Sequence, residues 1–133
     1  MKKILLSLLL SALMLSVKSQ SFKSADTINA PANLQNIYSR QLYSDSLASS
    51  FVIFIKKEVK AHKHISHTEH VYILDGEGEM LLNDKKIKVK KGDIIFIPKN
   101  TIHSLKTTSL FPMKVISIQS PMFDGKDRIF IEN

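Results

Sequence analysis

"HKHISHTEHVYILDGEG" occupies residues 62–78, and four of the chain's five histidines fall within its first nine positions. Histidine at this density marks a pH switch, a metal site or a tag. His62 and His64 are two residues apart, the spacing that points side chains to one face of a strand. Glu69 opens the next apolar run after the short bend "ISHT", so a hairpin-like return would set its carboxylate beside the two imidazoles. His103 follows the run that ends at Pro98, and a barrel would fold it onto the same point. Three neutral imidazoles and one carboxylate suit a divalent transition metal. A solvated histidine-rich loop is the reading to beat.

Outward from this stretch, short strand-like runs recur with turn residues at close spacing. "SFVIFIKKEV" (50–59) is rich in β-branched and aromatic residues, and "EHVYILDGEGEMLLN" (69–83) holds two runs around the turn signal "DGEG". "DKKIKVKKG", "DIIFIPKN", "HSLKT" and "MKVISIQSP" follow as further strands. In "KKIKVKK" (85–91) the lysines mostly alternate with Ile87 and Val89, the pattern of a half-buried strand with a solvated face. With no recognition motif beside it, this basic stretch reads as a strand face rather than as a nucleic-acid patch. Residues 33–48 are the exception to the strand pattern and read as a helical turn or an irregular segment. Many short strands of this kind imply a sandwich or a barrel, an all-β fold.

The start of the chain has a different character. "MKKILLSLLLSALMLSVKSQ" has two lysines, an apolar run from Ile4 to Leu15 and a border of small and polar residues, the layout of a secretory signal peptide. A run of twelve residues is shorter than the roughly 20 that a membrane span requires. Residues 1–19 are therefore expected to be removed before Gln20, giving a periplasmic or secreted protein that is not membrane-bound after cleavage. Removing 19 of 133 residues leaves 114, enough for one core without staples. It also removes Lys2, Lys3 and Lys18, so 19 basic residues become 16 against 12 acidic ones and the net charge falls from +7 to +4. The chain has no cysteine, which excludes a lipid anchor on that residue and any disulfide. Residues 20–33 read as a flexible polar arm and 34–133 as the folded domain.

The spacing of the histidines resembles the two signature motifs of the cupin superfamily. The first is commonly Gly-x5-His-x-His-x3,4-Glu-x6-Gly, matched here by His62, His64, Glu69 and Gly76. The second is Gly-x5-Pro-x-Gly-x2-His-x3-Asn, matched by Gly92, Pro98 and His103. Lys56, Asn100 and Thr107 stand where the motifs have Gly, Gly and Asn, and Asn is the residue that best replaces Gly at positive φ. The resemblance implies a small jelly-roll barrel of antiparallel strands. Inside it, His62, His64, Glu69 and His103 would hold a divalent transition metal: Fe, Mn, Zn, Ni or Cu. His67 and His70 have no counterpart in the motifs. His67 is expected in a solvated bend, His70 and Tyr72 on the opposite strand face from Glu69, and Phe123 and Phe130 as caps of the barrel or packing on a partner. Asp124 and Asp127 are weaker pocket candidates.

Three functions fit these residues: a metal-dependent enzyme, dioxygenase-like or isomerase-like, acting on a small molecule; a non-catalytic module holding a sugar or other small ligand; and a plain extracellular metal-binding or structural protein. The residues leave open whether the protein is catalytic, and no catalytic residue is assigned. Small cupin barrels tend to pair, and "FVIFI" (51–55) is apolar on both faces. The expectation is a homodimer covering the outer face, with the N-terminal arm as the alternative cover.

Overall fold

The computed structural model describes residues 21–132, so the signal-peptide reading of residues 1–19 lies outside the described residues. Among the described residues, ten strands follow a single 3-10 turn, Ala25–Thr27. They are β1 (Ile37–Ser44), β2 (Ser49–Ile55), β3 (Glu58–Lys63), β4 (Thr68–Asp75) and β5 (Glu77–Leu82), then β6 (Lys85–Lys90), β7 (Ile94–Ile97), β8 (His103–Thr107), β9 (Met113–Ser120) and β10 (Ile129–Phe130). Two five-stranded sheets form, ordered β1-β2-β9-β4-β7 and β10-β3-β8-β5-β6, and every pairing is antiparallel. This is the all-β jelly-roll architecture expected from the run of short strands.

The inner faces change character along their length. The inward residues of β9 run Met113, Val115, Ser117, Gln119, all buried. Those of β4, pairing antiparallel, run Ile73, Val71, Glu69. On β8, Leu105 precedes His103 in the same direction. One end of the interior is thus closed by Ile55, Ile73, Met80, Met113, Val115 and Leu105, and the other is lined by polar groups. Burying the apolar end stabilises the fold at about 25 cal/mol per Å² removed from water. The polar end costs free energy unless every group finds a partner.

β2 has two buried faces because two layers cover it. Ile53 and Ile55 pack inward, while Val52 and Phe54 pack outward against Ile28 and Leu34. In place of a free arm, residues 25–34 lie along the sheet, turned by the 3-10 segment and anchored by Ile28, which is 5% exposed. The segment is polar in composition, but two apolar side chains at suitable spacing suffice to dock it.

β1 corrects the reading of residues 33–48 as a helical turn or irregular segment. Residues 37–44 pair with 49–55 through a ladder that shifts register between Gln41 and Tyr43. β1 is an edge strand, mostly exposed, and its sequence "IYSRQLYS" therefore carries no clean apolar period. On β6 the lysines face solvent while Val89 is buried and Ile87 half-buried, as the alternation predicts.

Docking of the N-terminal segment makes a measurable prediction. Ile28→Ala should lower stability by about 2 kcal/mol, the low end for a large-to-small change because the cluster is small. Phe22→Ala, at a side chain 90% exposed, should change stability little. Urea unfolding of the two variants checks this, and equal midpoints would show that the segment contributes nothing.

Candidate metal centre

The histidine cluster begins with a bulge. Val59 pairs with Leu105 and His62 with His103, so β3 uses three steps where β8 uses two. The extra residue turns both Val59 and His62 inward and sets the rings of His62 and His103 4.2 Å apart. His64, just beyond β3, brings its ring to 5.1 Å from His62 and 5.4 Å from His103. One ring nitrogen from each of the three lies within 4.8 Å of the others, and all three residues are buried.

The other ring nitrogen fixes the tautomer. Nδ1 of His62 donates to the Lys60 carbonyl at 2.8 Å, Nδ1 of His103 to the Thr101 carbonyl at 2.9 Å, and Nδ1 of His64 to the Asp127 carbonyl. A carbonyl only accepts, so each Nδ1 carries the proton and a neutral ring offers its lone pair at Nε2. The Nε2 atoms of His64 and His103 are buried and have no hydrogen-bond partner. Burial, then the neighbouring His103, depresses the proton affinity of His62 from the ordinary imidazole value to about 4. Burial also opposes charge on His64, but the Glu69 carboxylate and the Asp127 carbonyl outweigh it and raise its pKa.

Glu69 completes the group. Its Oε1 accepts from the Ser117 hydroxyl, while Oε2 lies 3.5 Å from Nε2 of both His64 and His103, too far for a good hydrogen bond. Burial pushes its carboxyl upward, but His103, His64 and Ser117 together hold it well below the ordinary carboxylate range. The structure therefore brings together all four predicted side chains: His62, His64, Glu69 and His103. His70 is exposed on the outer face, its ring 5.0 Å from Phe96, and Tyr72 shares that face at 41% exposure.

His67 departs from expectation. It is not a solvated loop histidine but is 6% exposed, with Nδ1 2.6 Å from an Asp127 carboxylate oxygen and Nε2 donating to the Met122 carbonyl at 3.0 Å. Asp127 explains the burial. Its two carboxylate oxygens accept the backbone N–H groups of Ile65, Ser66 and His67 at 3.0, 2.7 and 3.1 Å, clamping the bend between β3 and β4. Burial works against that charge, but His67 and the Ile65 and Ser66 amides lower the Asp127 pKa to about 2. Phe123 lies edge-on to the rings of His64 and His67 at 5.6 and 5.2 Å, and Phe130 lies 5.9 Å from His62. Asn100 has φ +62°, so it does replace glycine in the left-handed region, and its N–H donates to the His64 carbonyl. Thr107 donates its hydroxyl to the Ile55 carbonyl, tying β8 to the end of β2.

Among sequence-based expectations, Ser117 was missed and Asp127 was rated weakly. The alternation of "MKVISIQS" was the available signal for Ser117, since it puts a hydroxyl on the same face as Val115. Asp127 had no such signal, because its partners lie 60 residues and more away.

Residues 51–119 match the family model for the cupin domain, and the chain belongs to that family. It is 39% identical over 84 residues to an uncharacterized protein of Aquifex aeolicus, covering 63% of this chain and 69% of that one. It is 33% identical over 60 residues to the quercetin 2,3-dioxygenase of Bacillus subtilis, covering 45% of this chain but 18% of that enzyme. In fold it is similar to the solved structure of KdgF from Halomonas sp., with a TM-score of 0.70 at 19% identity over 80% of this chain and 97% of that one.

The Asp127 clamp predicts an acid-sensitive contribution to stability. A carboxylate whose pKa is lowered on folding stabilises fully above the ordinary aspartate value near 4, and that contribution fades as pH falls through about 2. Asp127→Ala should cost about 1–2 kcal/mol near neutrality. The gap to the natural protein should narrow between pH 4 and 2 when urea midpoints are followed with pH. A gap independent of pH would refute the clamp.

Proposed function

We propose that this cupin holds a divalent transition metal through His62, His64, His103 and Glu69 and acts on a small molecule in the adjoining cavity as a metal-dependent enzyme. The observation that carries this reading is the pair of buried Nε2 atoms on His64 and His103 that lack a hydrogen-bond partner and face the Glu69 carboxylate at 3.5 Å. Buried nitrogens without partners are costly, and here each ring is turned so that its free lone pair meets the others. The donor set of three neutral imidazoles and one ionised carboxylate fits Fe, Mn, Zn, Ni or Cu. Such an ion supplies Lewis-acid polarisation of a bound oxygen atom. The chain's own residues fix the tautomers through Nδ1, hold the Glu69 carboxylate through Ser117, and keep water from the apolar floor formed by residues such as Ile73 and Val115.

The cavity lining favours oxygen chemistry over isomerisation. Apart from His62, His103 and Glu69, already committed to the cluster, it offers three serines and Arg128 and no carboxylate to serve as a general base. The dioxygenase among the relatives supports the same direction. The second reading is a non-catalytic module that binds a sugar or other small ligand, favoured by a cavity formed largely of apolar side chains. Oxygen uptake by metal-loaded protein on a candidate substrate separates the two.

A periplasmic or secreted location is part of this reading, resting on the signal-peptide pattern of residues 1–19, and an intact Met1 on cytoplasmic protein would overturn it. Pairing of two copies is supported by Tyr72, Ile94, Phe96 and Ile118, which cluster exposed on the outer face of β4, β7 and β9. A monomeric mass by light scattering would exclude it.

Elemental analysis after dialysis tests the metal. His62→Ala, His64→Ala and His103→Ala should each lower metal content at least about tenfold, since losing a group that merely supports a ligand already costs about 10–100-fold in affinity. His70→Ala should leave it unchanged. Full occupancy in His103→Ala would defeat the four-residue assignment.

A further inference from the structure

The cluster leaves one charge in the cavity wall unexplained. Arg128 lines the same cavity as His62, Glu69 and His103, at its exposed mouth. Its backbone is fixed on both sides: Asp127 is held by the bend, and Ile129 pairs with Lys63 in β3. Continuing that register puts residue 128 opposite His64. The guanidinium lies over the Phe123 ring, 5.8 Å from its centre.

Among the described residues Arg128 forms no ion pair. The nearby acids are already engaged: Asp127 with the bend and His67, Glu69 with Ser117 and the imidazoles, Asp124 with Lys126. An arginine at the mouth of a largely apolar cavity, without a carboxylate partner, is available to one brought by a ligand. The rest of the wall is apolar, with Ile53, Ile55, Val59, Leu105 and Val115, and the cavity measures about 100 Å³. That is less than the roughly 150 Å³ known to enclose benzene, so the body of the ligand must be compact.

Charge balance points the same way. With Glu69 ionised and a divalent ion in place, Arg128 leaves the cavity with a net charge of +2. A single fork without lysine or a helix terminus suits a carboxylate better than a phosphate, which needs more donors.

We propose that the ligand of this site is a small carboxylate with a short apolar body, its carboxylate held by Arg128 and its body by the Ile53–Val115 wall beside the imidazole cluster. The charge balance rests on the metal reading above; the pairing with Arg128 does not, so the two fail separately.

The test uses butyrate, its neutral counterpart butyramide and inorganic phosphate as probes, titrated by amide chemical shifts into full-length processed protein. Metal content is measured on every sample, and each titration is repeated after chelation. Butyrate should bind at least about tenfold more tightly than butyramide and more tightly than phosphate. Arg128→Gln should weaken butyrate at least about tenfold with metal content unchanged, Arg128→Lys should recover part of the loss, and Lys126→Gln should behave as the natural protein. Equal butyrate affinity in Arg128→Gln, equal binding of butyramide, preference for phosphate, or no binding of any probe would each overturn the proposal. If the natural protein proves metal-free, the metal reading fails while the Arg128 comparison still decides the ligand. Should Arg128→Gln not fold, the butyrate–butyramide comparison and Arg128→Lys decide it.

Discussion

Three backbone carbonyls set the chemistry of this protein. By accepting the Nδ1 protons of His62, His103 and His64, the carbonyls of Lys60, Thr101 and Asp127 turn three Nε2 lone pairs toward one point. Two of these carbonyls lie two residues before their own histidine, so the local strand supplies them. The third comes from a residue 63 positions further along the chain. Two rings are thus oriented by their own strands alone, and the third by a carbonyl of the docked C-terminal segment.

That dependence makes residues 121–131 part of the site rather than a tail. Phe123 packs on His64 and His67, Asp127 clamps the bend that carries them, and β10 adds a short pairing to β3 beside His62. This segment satisfies part of the polar end, accepting from Nδ1 of His64 and from both ring nitrogens of His67. Ser117 does the same for Glu69 from the neighbouring strand of its own sheet, and an ionised carboxylate is thereby kept in a buried position.

The all-β fold was legible from short strands and turn residues, the shared face of His62 and His64 from strand spacing, and the full set of four side chains from the resemblance to the two cupin motifs. His-x-His states a shared face, and the second motif states where the return strand places His103. Asn100 could be read as a glycine substitute because positive φ admits few side chains. His67 was misread because its burial comes from Asp127, a contact with no sequence period. β1 was misread because an edge strand has no buried face to imprint a pattern. The docking of residues 25–34 was only an alternative, since two apolar anchors in a polar stretch leave little trace.

A sheet with open edges invites a second chain to extend its ladder. Each of the four edges here is unsuitable for that. β7 has four residues and runs into Pro98, and β10 has only two. β1 carries a register shift that breaks the regular row of donors and acceptors. β6, the longest regular edge of its sheet, presents Lys85, Lys86, Lys88 and Lys90 to solvent, so a second copy brought alongside would meet its own charge. The lysines that first suggested a basic protein thus act as a barrier to strand-by-strand aggregation, and any pairing of copies is directed to sheet faces instead of edges.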